Sequence, residues 1–390
     1  MSITVALAFL SCEKIVPSIN SPESYPGDNY NEIFESFWNG MNNNYVFWSV
    51  DTTNWDNVYR TYKPLFSQLT VFNKKNDSIA EFYFEKMTSN IIDSHYTLSF
   101  NNTGHQFSPA LNRKLKIDQS HPDSIYSLPN DFFNSVVINY IDHSFLLKGT
   151  DTILYENSKV PFTVISGTIN NKILYLYFNG FFLSHAGKNT QPAIDYFLST
   201  VSNLPSNISG IVIDVRENGG GEITDLNYLL GSMIGTPLTF GYTRGKSNIG
   251  RLDYTPWAPA ILTPQVGSFP VSLPIVVLAD HLSVSMAELT TLAIKALPTG
   301  KFIGTTTWGA NGPLAPSVYY NAGQFTVGAS SFGPNGYMFV YTSSFMFEGV
   351  DGKVYEGKGV KPDIWAAETL AAYQARQDLQ LSAAIKYIGK

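Results

Sequence analysis

The chain has 390 residues, of which 44% are hydrophobic and only 14% charged, with a formal net charge of −6. That composition excludes a disordered chain and is ample for a packed core. The acidic balance leaves no broad basic surface, which argues against nucleic acid as a partner. Aromatic residues reach 14%, and the cluster Phe37, Trp38, Tyr45, Phe47 and Trp48 points to thick aromatic packing or a groove for an apolar or peptide ligand.

The N-terminus reads MSITVALAFLSCEK. An apolar run from Ile3 to Leu10 leads to Ser11-Cys12, and Cys12 is the single cysteine, so no intrachain disulfide forms. Residues 1–12 resemble a bacterial lipoprotein signal with Cys12 as the lipid-carrying residue; an ordinary cleaved signal peptide is the alternative. Either implies an exported chain, and the lipoprotein reading places it, anchored to the membrane through Cys12, in the cell envelope of a Gram-negative bacterium. Residues 13–29, rich in Pro, Ser, Asn and Gly, read as a linker. Residues 30–100 read as a helical domain. Ile33, Phe34, Phe37, Trp38 and Met41 recur at helical spacing; a second amphipathic stretch spans Trp55 to Leu65 and a third Ile79 to Ile92. Residues 101–160 suggest a connecting region of short strands, such as Ser135–Ile141 and Ser144–Leu147, and loops.

From 161 to 390 apolar strands alternate with helices. The spacing predicts strands at 172–178, 210–216, 274–280 and 301–305, with helices at 193–204, 222–234 and 285–297. A β-rich stretch follows over 317–347, then one helix over 366–388. The pattern is that of a mostly parallel sheet covered by helices.

Two stretches carry candidate chemistry. In DVRENGGGEITDL (214–226), a buried strand ends in three glycines and a helix follows. Such a turn lets the backbone approach a ligand and aims N–H groups outward, as in an oxyanion hole; it lacks both phosphate-loop patterns. In DHLSVSMAELTT (280–291), a strand ends and Ser285 opens a helix. A serine there can be a nucleophile given a base. It can equally be an ordinary cap paired with Glu288 in an S-x-x-E box.

DVRENGGG, VSMAE about 70 residues on, IGTTTWG and YEGKGVKPDI, in that order, resemble the C-terminal processing (tail-specific) serine peptidases. The resemblance covers most of residues 30–390. It implies an α/β fold, with a ClpP/crotonase-like core behind an N-terminal helical domain, and Ser285 as nucleophile with Ser283 a turn residue. Most members use a lysine base, but Ala310 stands at the matching position and cannot take a proton. Lys295 and Lys301 fall on the intervening helix and at a strand start.

Among the histidines, His281 reads as a structural contact and His105, His121, His143 and His185 as surface residues. His95, in DSHYTL, matches the Asp-x-His segment of the tricorn-like and nisin-resistance branches, where a histidine replaces the lysine. That likeness implies His95 as base, with Ser94 and Glu356 fixing its tautomer, and Gly219 or Gly220 with Met286 as oxyanion donors. The site would lie where the helical domain meets the core. The expected activity is that of a serine endopeptidase acting on a peptide or unfolded protein substrate in an aromatic-lined cleft. No PDZ domain, cofactor or metal site is expected. The rival reading is an inactive family member that binds apolar ligands or peptides, like the interphotoreceptor retinoid-binding proteins of the same fold.

Overall fold

The computed structural model describes residues 25–110, 124–155, 158–268, 270–315 and 323–390. Cys12, His121 and most of the expected linker lie outside the described residues.

Three helices open the described chain: α1 (Tyr30–Asn44), α2 (Trp55–Phe66) and α3 (Lys74–Thr88). Each starts at an asparagine, Asn29, Asn54 or Asn73, whose side chain accepts a backbone N–H three residues on, answering one of the unpaired donors of a first turn. The first turn of α3 is wholly polar, so apolar periodicity places its start five residues too late. Phe37 of α1 meets Trp55 and Phe84 edge-on at ring-centroid distances of 6.0 and 4.9 Å, so the aromatic excess is largely core here.

This helical unit is not closed by its own residues. Strand Thr97–Phe100 pairs antiparallel with Met338–Tyr341, which pairs in turn with Gln324–Val327. Phe325, Val327, Met338 and Val340 complete the aromatic core of the helices. Part of the stretch expected to belong to the catalytic core therefore packs with the N-terminal region.

The central sheet has seven strands in the spatial order Ile364–Trp365, Gly300–Gly304, Ile275–Ala279, Gly210–Asp214, Ile173–Phe178, Ser158–Ile169, Leu147–Tyr155. The first five run parallel; the last two join antiparallel at one edge. Strands 173–178, 210–214 and 275–279 are buried at every position, as a sheet covered on both faces requires. One face packs Ala193, Ile194 and Phe197 of helix Gln191–Ser202 with Leu289 and Ala293 of helix Met286–Ala296. The other packs Phe132 and Val137 with Leu381 and Ile388 of the C-terminal helix.

Three expectations need correction. The core sheet begins at Leu147, not 161, because strand 147–155 forms a hairpin with 158–169. Residues 135–141 lie in short helical turns, Phe132–Ser135 and Val137–Tyr140, rather than a strand, since Phe132, Val136 and Val137 are buried on one side of the chain against the sheet. The C-terminal helix is two helices, Leu370–Gln374 and Leu379–Ile388, broken where Arg376 takes φ 58° and Asp378 caps the second. The break sets Asp378 against the buried Arg216, which also grips Asp214.

Candidate active site

The parallel strands 210–214 and 275–279 end side by side, which brings the glycine loop and the Ser285 turn together. Ser285 has φ 55° and ψ −115° between strand and helix. A non-glycine residue there carries strain of about 1–3 kcal/mol, held only by its surroundings. Its hydroxyl makes no capping bond. The expected alternative, an S-x-x-E box, is therefore not formed. The buried Glu288 carboxylate turns away from Ser285 and accepts from Thr307 Oγ1 (2.5 Å), Gly309 N (2.8 Å) and Ala310 N (2.6 Å). Burial pushes Glu288 up to about 7 against these hydrogen bonds. Ala310 thus serves through its backbone. The buried Ser283 donates its hydroxyl to Val215 O at 2.7 Å and accepts from Asp280 N at 2.9 Å, the geometry of a turn residue.

Gly220 packs directly against Ser285. At φ 94°, a Cβ on it would stand 2.7 Å from Ser285 Cβ. Its N–H is donated to Asn218 Oδ1 at 2.9 Å, so of the two glycines expected as oxyanion donors, Gly220 is engaged elsewhere. The N–H groups of Gly219 and Met286 have no partner among the described residues.

His95 enters from between α3 and strand 97–100. Its Nδ1 lies 3.2 Å from Ser343 Oγ and 4.0 Å from Asp93 Oδ1, and its side chain is 14% exposed. Burial lowers its pKa below the ordinary histidine value, and the Asp93 charge partly restores it. The roles expected of Ser94 and Glu356 need correction. Ser94 donates its hydroxyl to Gly309 O (2.7 Å) and its N–H to Glu356 Oε1 (2.7 Å). Glu356 Oε2 accepts from Asn311 N and Gly312 N, both at 2.8 Å. The pair ties the 309–312 loop to the His95 segment, and the hydrogen-bond partner of the imidazole is Ser343. Burial, with the nearby Asp93 charge, pushes Glu356 well above the usual carboxylate range. Ligand atoms of Asp93, His95 and Glu356 lie within 4.8 Å of one another. Every carboxylate oxygen there accepts a backbone N–H, which joins these groups in one hydrogen-bond network.

One cleft of about 1020 Å³ is lined by Ser285, His95, Gly219, Gly220 and Met286 together, with Ile153, Leu154, Phe182, Ile223 and Leu289 as apolar wall. Ser285 and His95 share it without a hydrogen bond joining them. His185 is exposed, as expected of a surface residue, and lines this cleft. His281 stacks on Tyr126 at 5.0 Å, as a structural contact should, and His105 pairs with Glu85. Sequence reasoning missed Ser343 and Asn218. Ser343 sits in YTSSF, with nothing local to mark it, 248 positions from His95.

Comparison with known proteins agrees with this architecture. The model of peptidase family S41 matches residues 172–366, half of the chain. The chain belongs to peptidase family S41. It is therefore a serine-type peptidase, with peptides or proteins as substrates. The tricorn protease C1 domain model matches residues 26–70, within the helical unit. No curated protein matches. Among solved structures, a candidate peptidase from Parabacteroides merdae is 21% identical over 93% of this chain and 97% of its own, with a TM-score of 0.67, which extends the shared fold to nearly the whole S41 chain. A lipoprotein from Streptococcus agalactiae is 13% identical over 93% and 97%, TM-score 0.47. The tricorn protease is 15% identical over 92% of this chain and 36% of its own, TM-score 0.44.

Proposed function

We propose that this S41 peptidase cleaves peptide bonds through an acyl-enzyme on Ser285 with His95 as general base. The observation that carries the reading is the strained Ser285 turn, its hydroxyl uncapped, opening onto the cleft that His95 also lines. Ser285 Oγ attacks the scissile carbonyl while His95 Nε2 takes its proton. The proton passes to the leaving amine, and water then hydrolyses the ester by the same path. The N–H groups of Gly219 and Met286 face the oxyanion, the second at a helix N-terminus whose partial positive charge favours it. Glu356 and Ser94 support the reaction at one remove, by fixing the loop beneath His95. The apolar wall suits an extended, unfolded segment of substrate.

A fluorophosphonate probe on the full chain tests this. Labelling is expected, is lost in Ser285→Ala, and falls strongly in His95→Ala. Absence of labelling in folded wild-type protein would favour the inactive, ligand-binding alternative; labelling that survives Ser285→Ala would place the nucleophile elsewhere.

We also propose export and a lipid anchor at Cys12, in the cell envelope of a Gram-negative bacterium. The support is the run from Ile3 to Leu10 before Ser11-Cys12. Among the described residues no helix is long and apolar enough to cross a membrane.

A further inference from the structure

We propose that Ser343 and Asp93 are positioning residues that hold the His95 proton on Nδ1 and so leave Nε2 as the acceptor for Ser285; this rests on His95 being the base. The direction of the hydrogen bonds carries the inference. Asp93 Oδ1 accepts from Ser343 Oγ at 2.9 Å and from His95 N at 2.9 Å, while Oδ2 accepts from Ser343 N at 2.7 Å. A hydroxyl has one proton, and that of Ser343 is directed at Asp93. It therefore presents a lone pair to His95 Nδ1, 3.2 Å away. Nδ1 must then be the donor, which leaves the Nε2 lone pair for proton transfer.

The fold builds this juxtaposition. Strands 97–100 and 338–341 pair with Thr97 opposite Tyr341, and just beyond that paired end the Ser343 N–H is donated to Asp93 Oδ2. Ser343 and Asp93 are fully buried, so neither group exchanges its partner for water. Gly312 packs on Ser343 closely enough that a Cβ there would meet its Oγ at 2.4 Å. The titratable groups around this relay are Glu356 behind it, Tyr45 and Tyr96 near Asp93, and His185 and Glu222 across the cleft.

The test measures kcat and KM against pH for full-chain wild type, Ser343→Ala, Asp93→Asn and His95→Ala, with active sites titrated by fluorophosphonate. ¹⁵N-histidine NMR reads the His95 tautomer, assigned by its loss in His95→Ala. Expected are a kcat fall of order 10–100-fold in Ser343→Ala with KM nearly unchanged. In Asp93→Asn the acid limb of kcat/KM moves down by about one unit, because the imidazolium loses its counter-charge. The wild-type tautomer is Nδ1–H. Wild-type kcat in Ser343→Ala with an inactive His95→Ala overturns the positioning role alone. Activity retained in His95→Ala overturns both this and the base assignment. An Nε2–H tautomer in the wild type overturns the relay even if neither variant folds.

Discussion

Gly220→Ala probes the contact on which the nucleophile rests. The new Cβ would stand 2.7 Å from Ser285 Cβ and 3.2 Å from both Ser285 Oγ and Met286 N, so the serine or the glycine loop must move. Two costs arise. Alanine at φ 94° is strained by about 1–2 kcal/mol. With an unfolding entropy of about 2 cal/mol/K per residue, that strain lowers Tm by only about 1–3 °C. The displacement acts on catalysis instead. A shift of about 1 Å in a reacting atom costs about 10²-fold in rate. Gly267→Ala is the control: its φ is 81°, but a Cβ there meets nothing within 4 Å. Both variants should lose similar stability by thermal melt, while only Gly220→Ala loses about 10²-fold in kcat and in fluorophosphonate labelling rate. Gly220→Ala retaining kcat within twofold would refute the argument that this glycine fixes the position of Ser285.

Glu288 has a folded pKa near 7, above its unfolded value of 4.5, so the folded state holds the proton more tightly. Its contribution is fully present below about pH 4.5 and is lost as pH rises through 7. Asp280, raised to about 6, and Glu368, raised to about 7, act in the same sense. Tm should therefore fall between pH 5 and 7.5, and Glu288→Gln should flatten that slope; an unchanged slope counts against it. Arg216→Ala leaves Asp214 and Asp378 buried without their partner and should cost about 3–5 kcal/mol in denaturant unfolding. A loss below about 1 kcal/mol would mean that those carboxylates neutralise by themselves. Cys12→Ala should move the protein from the membrane to the soluble fraction and abolish palmitate incorporation; persistent incorporation would point to another acylation site.

The core strands were legible because burial on both faces of a parallel sheet demands near-continuous apolar runs, as in ILYLYF and GIVID. The hairpin 147–169 was not, since its first strand alternates partly buried and exposed positions at a sheet edge and carries little apolar signal. The split C-terminal helix was hidden for a different reason. Its apolar spacing continues across the break, and the break is imposed by Asp378 reaching Arg216, a residue 162 positions away.

At the candidate site, Ser285 was marked by local order: a strand, a turn, then a helix. Its failure to form a capping box could not be read locally, because Glu288 has partners on a loop about 20 residues further on. The roles of Ser94, Glu356 and Gly220 changed for the same reason: each side chain or N–H has a nearer partner than the one its motif suggested.

Sequence alone determined what depends on neighbours in the chain: apolar period, glycine turns, the order of the family's motifs and the absence of a lysine at 310. Tertiary structure decided what depends on register between distant strands. The pairing of 97–100 with 338–341 delivers His95 to the Ser285 cleft and Ser343 to His95. No local pattern encodes that pairing, because a hydrogen-bonded ladder is set by what both strands bury together, not by either strand alone.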